Sequence, residues 1–206
     1  MKKAFLLVLN IVSLSAFSTH LSSAQSIQFG ENVNFGLKAG FNWTSINDEK
    51  RVEDSGVTPR PGFHVGGLAH FHLSDNWAIQ PELMYSKEGA KYESAKYTGK
   101  TDLNSVNLPI LVQYMIGPGF RIETGPQFGL FTGTKFENAD NDEKRKTDIQ
   151  NGNVSWAFGL GYLTNSGFGI DVRYNMGLSN IYPKDVYPGQ HARTRAGQLG
   201  FFYQFK

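Results

Sequence analysis

Apolar and polar residues alternate one for one along most of this chain. Successive side chains of an extended strand point to opposite faces, so the alternation predicts β-strands. Eight segments carry it: residues 34–46, 62–73, 77–86, 105–116, 119–134, 153–163, 167–178 and 194–205. In the seventh, Phe168, Ile170, Val172, Tyr174, Met176 and Leu178 interleave with Gly169, Asp171, Arg173, Asn175 and Gly177. Helical periodicity competes nowhere after the N-terminal segment. Pro81 and Pro109 fall inside strands, where a residue without an N–H is a defect or marks a bulge.

The connections alternate in length. Short turns are expected at Ser74-Asp75-Asn76, Gly117-Pro118-Gly119 and residues 164–166, and long polar loops at 47–61, 87–104, 135–152 and 179–193. Putting every long loop at one end is the habit of outer-membrane barrels, with short turns toward the periplasm and long loops outside. A strand of about 11 residues, rising about 3.3 Å per residue and tilted near 40°, spans about 28 Å, which matches a bilayer's hydrocarbon core.

The greasy face carries nearly all the aromatic rings. One belt, toward the short turns, holds Phe35, Phe71, Trp77, Tyr114, Phe120, Tyr162, Phe168 and Tyr203; the other, toward the long loops, holds Trp43, Phe63, Tyr85, Trp156 and Tyr174. Such girdles mark the two interfaces of a membrane barrel. Phe131 and Phe202 fall on the other face. That face carries Lys38, His64, His70, His72, Glu82, Arg121, Glu123, Asp171 and Arg173 among glycines. A soluble ligand-binding barrel would have the reverse polarity. The pattern predicts an all-β, eight-stranded antiparallel up-and-down transmembrane barrel. Its interior is just wide enough for side chains to fill, with Arg121, Arg173 and Lys38 paired to Glu123, Asp171 and Glu82.

Composition narrows the classes further. The 206-residue chain has no Cys, which excludes disulfides, thiolate metal sites and Cys nucleophiles. A mean hydropathy of −0.35 excludes a multi-span helical protein. Lys2 and Lys3, the apolar run 4–17 and Ser22-Ser23-Ala24 read as a cleaved secretory signal over residues 1–24, leaving a barrel domain at 25–206. Removing Lys2 and Lys3 takes the 20 basic residues to 18, equal to the 18 acidic ones, so no nucleic-acid partner is implied.

Several motifs invite chemistry. His70-x-His72, with His64 on the same parity, could present imidazoles to a metal, and Glu82 with Glu123 or Asp171 could act as an acid/base pair. His191 with Ser179 is the one rim pairing that could serve a lipid-modifying enzyme. Residues 138–148 loosely resemble a calcium loop but lack its turn Gly and terminal Glu. The sequons at Asn42 and Asn153 lie within strands. A hydrogen-bonded polar interior and a solvated loop account for all of these more simply, so no metal or cofactor is expected.

The segments FGLKAGFNWTSI (35–46), VNLPILVQY (106–114), ETGPQFG (123–129), FGLGY (158–162) and above all RYNMGLSNI (173–181) resemble the porin-like outer-membrane β-barrel domain family. The likeness extends over essentially all of the chain after the signal. It implies a small barrel of a Gram-negative outer membrane, delivered by the barrel-insertion machinery. Such barrels commonly end on an aromatic residue, whereas here Lys206 follows Phe205. The expectation is a monomeric, non-enzymatic integral protein in outer-membrane lipid, with a structural or surface-recognition role through four extracellular loops whose ligand is unknown. The alternatives are a narrow channel for ions or small solutes, an outer-membrane lipid enzyme and a soluble secreted barrel.

Overall fold

The computed structural model describes residues 33–48, 56–94, 97–138, 144–145, 152–181 and 192–205. The signal segment, His191, Lys206 and most of the 138–148 run lie outside them. The described residues form nine strands and no helix: β1 Val33–Asp48, β2 Gly56–His72, β3 Trp77–Ser94, β4 Tyr97–Ile116, β5 Phe120–Asn138, β6 Lys144–Arg145, β7 Gly152–Leu163, β8 Phe168–Gly177 and β9 Ala192–Gln204. All but the two-residue β6 belong to one antiparallel ring. Each pairs with its chain neighbours, and β1 pairs with β9 from Gly36↔Gln204 to Asp48↔Ala192, which closes the sheet.

Closure leaves the ring without an open sheet edge, which a sheet in hydrocarbon requires because no water can bond its free N–H and C=O groups. The short turns are tight. Leu73 N–H donates to Trp77 O at 2.8 Å, and Leu163 N–H to Gly119 O at 2.9 Å. Gly117 (φ 60°) and Gly167 (φ 92°) hold left-handed backbone that a side chain would strain. At the end of the chain, Phe205 N–H donates to Phe35 O at 2.7 Å.

Two expected loops are strands in the structure. β3 and β4 stay paired out to Ser94↔Tyr97, so most of 87–104 is a protruding hairpin, and β5 continues to Asn138, where Phe136↔Arg145 and Glu137↔Lys144 join it to β6. The reason is solvent. Beyond the membrane both faces of a strand are wet, so backbone pairing continues while the greasy alternation that reveals a strand stops.

The prolines do not shift the register. Pro81 lies where pairing to β2 lapses between Leu68↔Glu82 and Phe71↔Ile79, and Pro109 where pairing to β3 lapses between Pro81↔Ile110 and Met84↔Asn107. In both places the same register resumes beyond the gap. The true irregularities fall near the loops, between Pro59 and Phe63 and between Asn104 and Ser105.

Candidate functional site: the barrel interior

Alternation along β8 sorts its side chains by solvent. Asp171, Arg173, Asn175 and Gly177 are buried, while Ile170, Val172, Tyr174 and Met176 are exposed, Val172 at 59%. The same inversion holds around the wall. Phe35, Trp43, Phe63, Phe71, Trp77, Tyr85, Tyr114, Phe120, Trp156, Tyr162, Phe168 and Tyr174 all point outward and exposed, and Tyr203 is half-buried against Phe168 and Phe205 at ring separations of 4.8 and 5.5 Å. Trp77 meets Tyr114, its cross-strand partner, at 4.9 Å.

Inside, five charged side chains meet at mid-height. Arg173 makes a two-pronged bond to Glu82 (Nη1 to Oε2 2.9 Å, Nη2 to Oε1 3.0 Å), and its Nε donates to Glu123 Oε1 at 2.8 Å. Lys38 Nζ lies 2.5 Å from Asp171 Oδ2 and 3.8 Å from Glu82 Oε1. All five residues are at most 3% exposed. In the ring of eight long strands β3 and β8 stand four steps apart in either direction, so the Arg173–Glu82 bond spans the interior from wall to wall. Forked guanidinium–carboxylate geometry makes this a strong contact, and burial makes loss of either partner expensive.

Glycines on the inner face make room for this layer. A Cβ on Gly200 would come 2.6 Å from Lys38 Cε and 2.7 Å from Asp171 Oδ1, and one on Gly159 would come 2.6 Å from Glu123 Oε1.

Hydrogen bonds continue away from the charged layer in both directions. Toward the short turns, Gln113 Nε2 donates to Glu123 Oε2 (2.9 Å), Arg121 Nη1 donates to Gln113 Oε1 (3.4 Å) and Gln80 Nε2 donates to Glu82 Oε1 (2.8 Å). Because Gln80 uses its NH₂ on Glu82, its oxygen faces His70, and His70 Nδ1–H donates to it at 3.1 Å. Toward the long loops, His64 Nδ1–H donates to Asn42 Oδ1 (2.6 Å), Asn42 Nδ2 donates to Ser86 Oγ (2.6 Å), and Ser86 donates to Glu88 Oε1 (2.9 Å).

Two expectations about the interior need correction. Arg121 has no carboxylate at ion-pair distance among the described residues; it bonds Gln113 and lies over the Phe202 ring, 5.8 Å from its centre. The inward Phe202 explains this, because it takes the space beside the guanidinium with a π face. His72 is not an interior residue. It closes β2 at the turn and is exposed, with its ring edge-on to His70 at 4.5 Å.

Asn42 is fully buried and bonded to Ser86, so its sequon is a chance match, in keeping with its place inside a strand. Ser179 holds structure together: it accepts from Val154 N–H (2.9 Å) and donates to Asn153 Oδ1 (2.9 Å). His64 and His70 are six residues apart on one strand and face different layers, and no cluster of three metal-ligating side chains occurs among the described residues. Asn42, Gln80, Ser86, Glu88, Asn107 and Gln113 complete the network without standing out in the sequence. Their inward parity is the available signal; their lack of charge makes most of them inconspicuous, and Glu88 falls in a stretch that reads as loop.

A closed ring of eight long strands with rings outward and ions inward is an integral β-barrel of the outer membrane. The family model for the outer membrane protein beta-barrel domain matches residues 23–182, and the chain belongs to that family. Among solved structures it is similar to OprG of Pseudomonas aeruginosa, at 14% identity over 87% of this chain and 99% of that one with a TM-score of 0.50, a likeness of fold alone. Ail of Yersinia pestis shares 16% identity over 85% of this chain and 100% of that one, with a TM-score of 0.48. A comparison with curated proteins gives no match.

Proposed function

We propose that this protein is a monomeric, non-enzymatic barrel of the Gram-negative outer membrane, exported by a signal at residues 1–24, whose filled interior makes it a rigid mount for a structural or surface-recognition role at its extracellular end. The observation that carries this reading is the Arg173–Glu82 bond across the full width of the interior, backed by Glu123, Asp171 and Lys38. The cavity beside it, lined by His64, Ser86, Gln127 and Gln198, measures about 10 Å³, room for about one water molecule. A solute would have to break buried ion pairs to pass.

A second reading, a narrow channel, draws support from one specific feature. Thr44 Oγ1, Ser155 Oγ and both amide atoms of Asn175 are buried above the charged layer without partners, and His70 Nε2 and Gln204 Nε2 below it. Water-filled vestibules at both ends would leave the charged layer as the single barrier. Planar-bilayer recording separates the two readings. The proposal expects no steady openings from the unaltered protein; steady openings whose size changes in Arg121→Gln or Glu123→Gln would replace it with the channel.

A further inference from the structure

The outer wall is not uniform. On β9 the outward positions run, from the loop end, Arg193, Arg195, Gly197, Leu199 and Phe201, alternating with buried Ala192, Thr194, Ala196, Gln198 and Gly200. Both arginines are exposed, and neither has a hydrogen-bond or ion-pair partner among the described residues. Arg195 stands between Ser45 and Met176, and no carboxylate occurs among the described outward residues of β1, β8 and β9.

Directly beneath lies a notch. Gly197 pairs with Trp43 on one side and Tyr174 on the other, and a Cβ placed on it would meet nothing within 4 Å. Gly197 lies at the edge of an open groove of about 840 Å³ on the wall, lined by Trp43, Phe158, Leu160, Val172, Tyr174 and Leu199.

Two cations at the outer interface, unpaired among the described residues, over an apolar groove in the hydrocarbon zone match a single kind of occupant. We propose that this face binds an anionic phospholipid, with its phosphate at Arg193 and Arg195 and an acyl chain along the Gly197 groove. Guanidinium forks suit phosphate oxygens, and each cation at a membrane surface favours an anionic headgroup by a few-fold. The site rests on the outer-membrane placement of the barrel and is independent of whether its interior conducts.

Trp43, which lines the groove, reports occupancy. The full-length folded protein with Trp77→Phe and Trp156→Phe keeps Trp43 as its one tryptophan in the described barrel. It is placed in phosphatidylcholine vesicles containing brominated-chain phosphatidic acid or brominated-chain phosphatidylcholine. The proposal expects quenching of Trp43 to favour phosphatidic acid about 25-fold, with about fivefold lost for each of Arg193→Gln and Arg195→Gln. Gly197→Leu, which obstructs the groove beside Trp43 while leaving both arginines, is expected to reduce quenching of Trp43 by brominated phosphatidic acid. Lys87→Gln, an exposed outward cation on β3, is expected to change nothing.

Equal quenching by the two lipids, undiminished quenching by phosphatidic acid in Gly197→Leu, or an equal loss in Lys87→Gln would each overturn the site in favour of ordinary surface attraction. Quenching by neither lipid would overturn the membrane placement itself. Native mass spectrometry of the unaltered protein released from mixed phosphatidylcholine and phosphatidic acid nanodiscs needs no substitution; retained phosphatidic acid supports the site, and random retention contradicts it.

Discussion

The two faces of β8 meet opposite surroundings. Asp171, Arg173 and Asn175 are enclosed at 3–4% exposure, while Ile170, Val172 and Tyr174, one residue away along the same strand, are 42–59% exposed. In a soluble protein the first set would face water and the second would form the core. Here the hydrophobic effect acts on the outside, where acyl chains replace the core, and electrostatic pairing organises the inside. A one-residue slip in register would put ions into lipid and grease among charges, so register is strongly specified.

Breaking the inner face at its centre gives the largest effect. Arg173→Met leaves Glu82 and Glu123 buried without their main cation, and is expected to destabilise the folded barrel by about 3–5 kcal/mol. Urea unfolding of the refolded protein in micelles, followed by Trp emission, measures it. If pairing is the cause, Arg173→Met combined with Glu82→Gln and Glu123→Gln recovers most of the loss; a triple variant as weak as the single one would point to packing instead.

Breaking the outer face comes next. Val172→Arg sets a guanidinium on the wall at mid-depth, at an expected cost of about 2–4 kcal/mol in the same assay in lipid vesicles. The effect should shrink for the same change nearer either belt. Uniform cost at all depths would mean that the wall does not face a bilayer.

The rim is gentler. Trp77→Leu removes the ring contact with Tyr114 and is expected to destabilise by about 0.5–1.5 kcal/mol. Smallest of all, Ser155→Ala deletes a buried hydroxyl with no protein partner and should stay within about 0.5 kcal/mol of the parent. A larger loss there would reveal that the hydroxyl takes part in a bonded water chain.

Much of this is legible in the sequence, for a physical reason. Wherever one face of a strand meets lipid, the two-residue alternation is written in residue type, so the eight spanning segments, their inward and outward faces and the short turns can be read directly. Where both faces meet water, as in the hairpin of β3 and β4, the backbone keeps its ladder but the side chains no longer record it. The pairing inside the barrel is beyond reach for another reason. Parity says that Lys38, Glu82 and Arg173 share an interior, but which meet depends on the strand stagger around the ring and on gaps left by Gly159 and Gly200. Arg121 illustrates the limit: its partner is the ring of Phe202, an aromatic on the face reserved for polar groups.

The segment RYNMGLSNI has a legible purpose in this fold. Arg173 closes the interior, Gly177 lets β9 approach so that a Cβ would lie 2.6 Å from Thr194 O, Ser179 secures the start of β7, and Asn180 Oδ1 accepts from Ala192 N–H at 2.9 Å. Each of these residues has a structural task, so the motif speaks for architecture before activity.

The absence of cysteine gives the most direct test of the two-faced wall, since single cysteines carry nitroxide labels without background. Labels at positions 170, 172 and 174, and at the inward position 175, are compared in lipid vesicles for collision with oxygen, which concentrates in acyl chains, and with a water-soluble nickel chelate. A wall with lipid outside and ions inside predicts strong oxygen and weak nickel contact at 170, 172 and 174, with oxygen contact falling sharply at 175. Nickel contact at 172 as strong as at a loop position, with oxygen reaching 175, would contradict it.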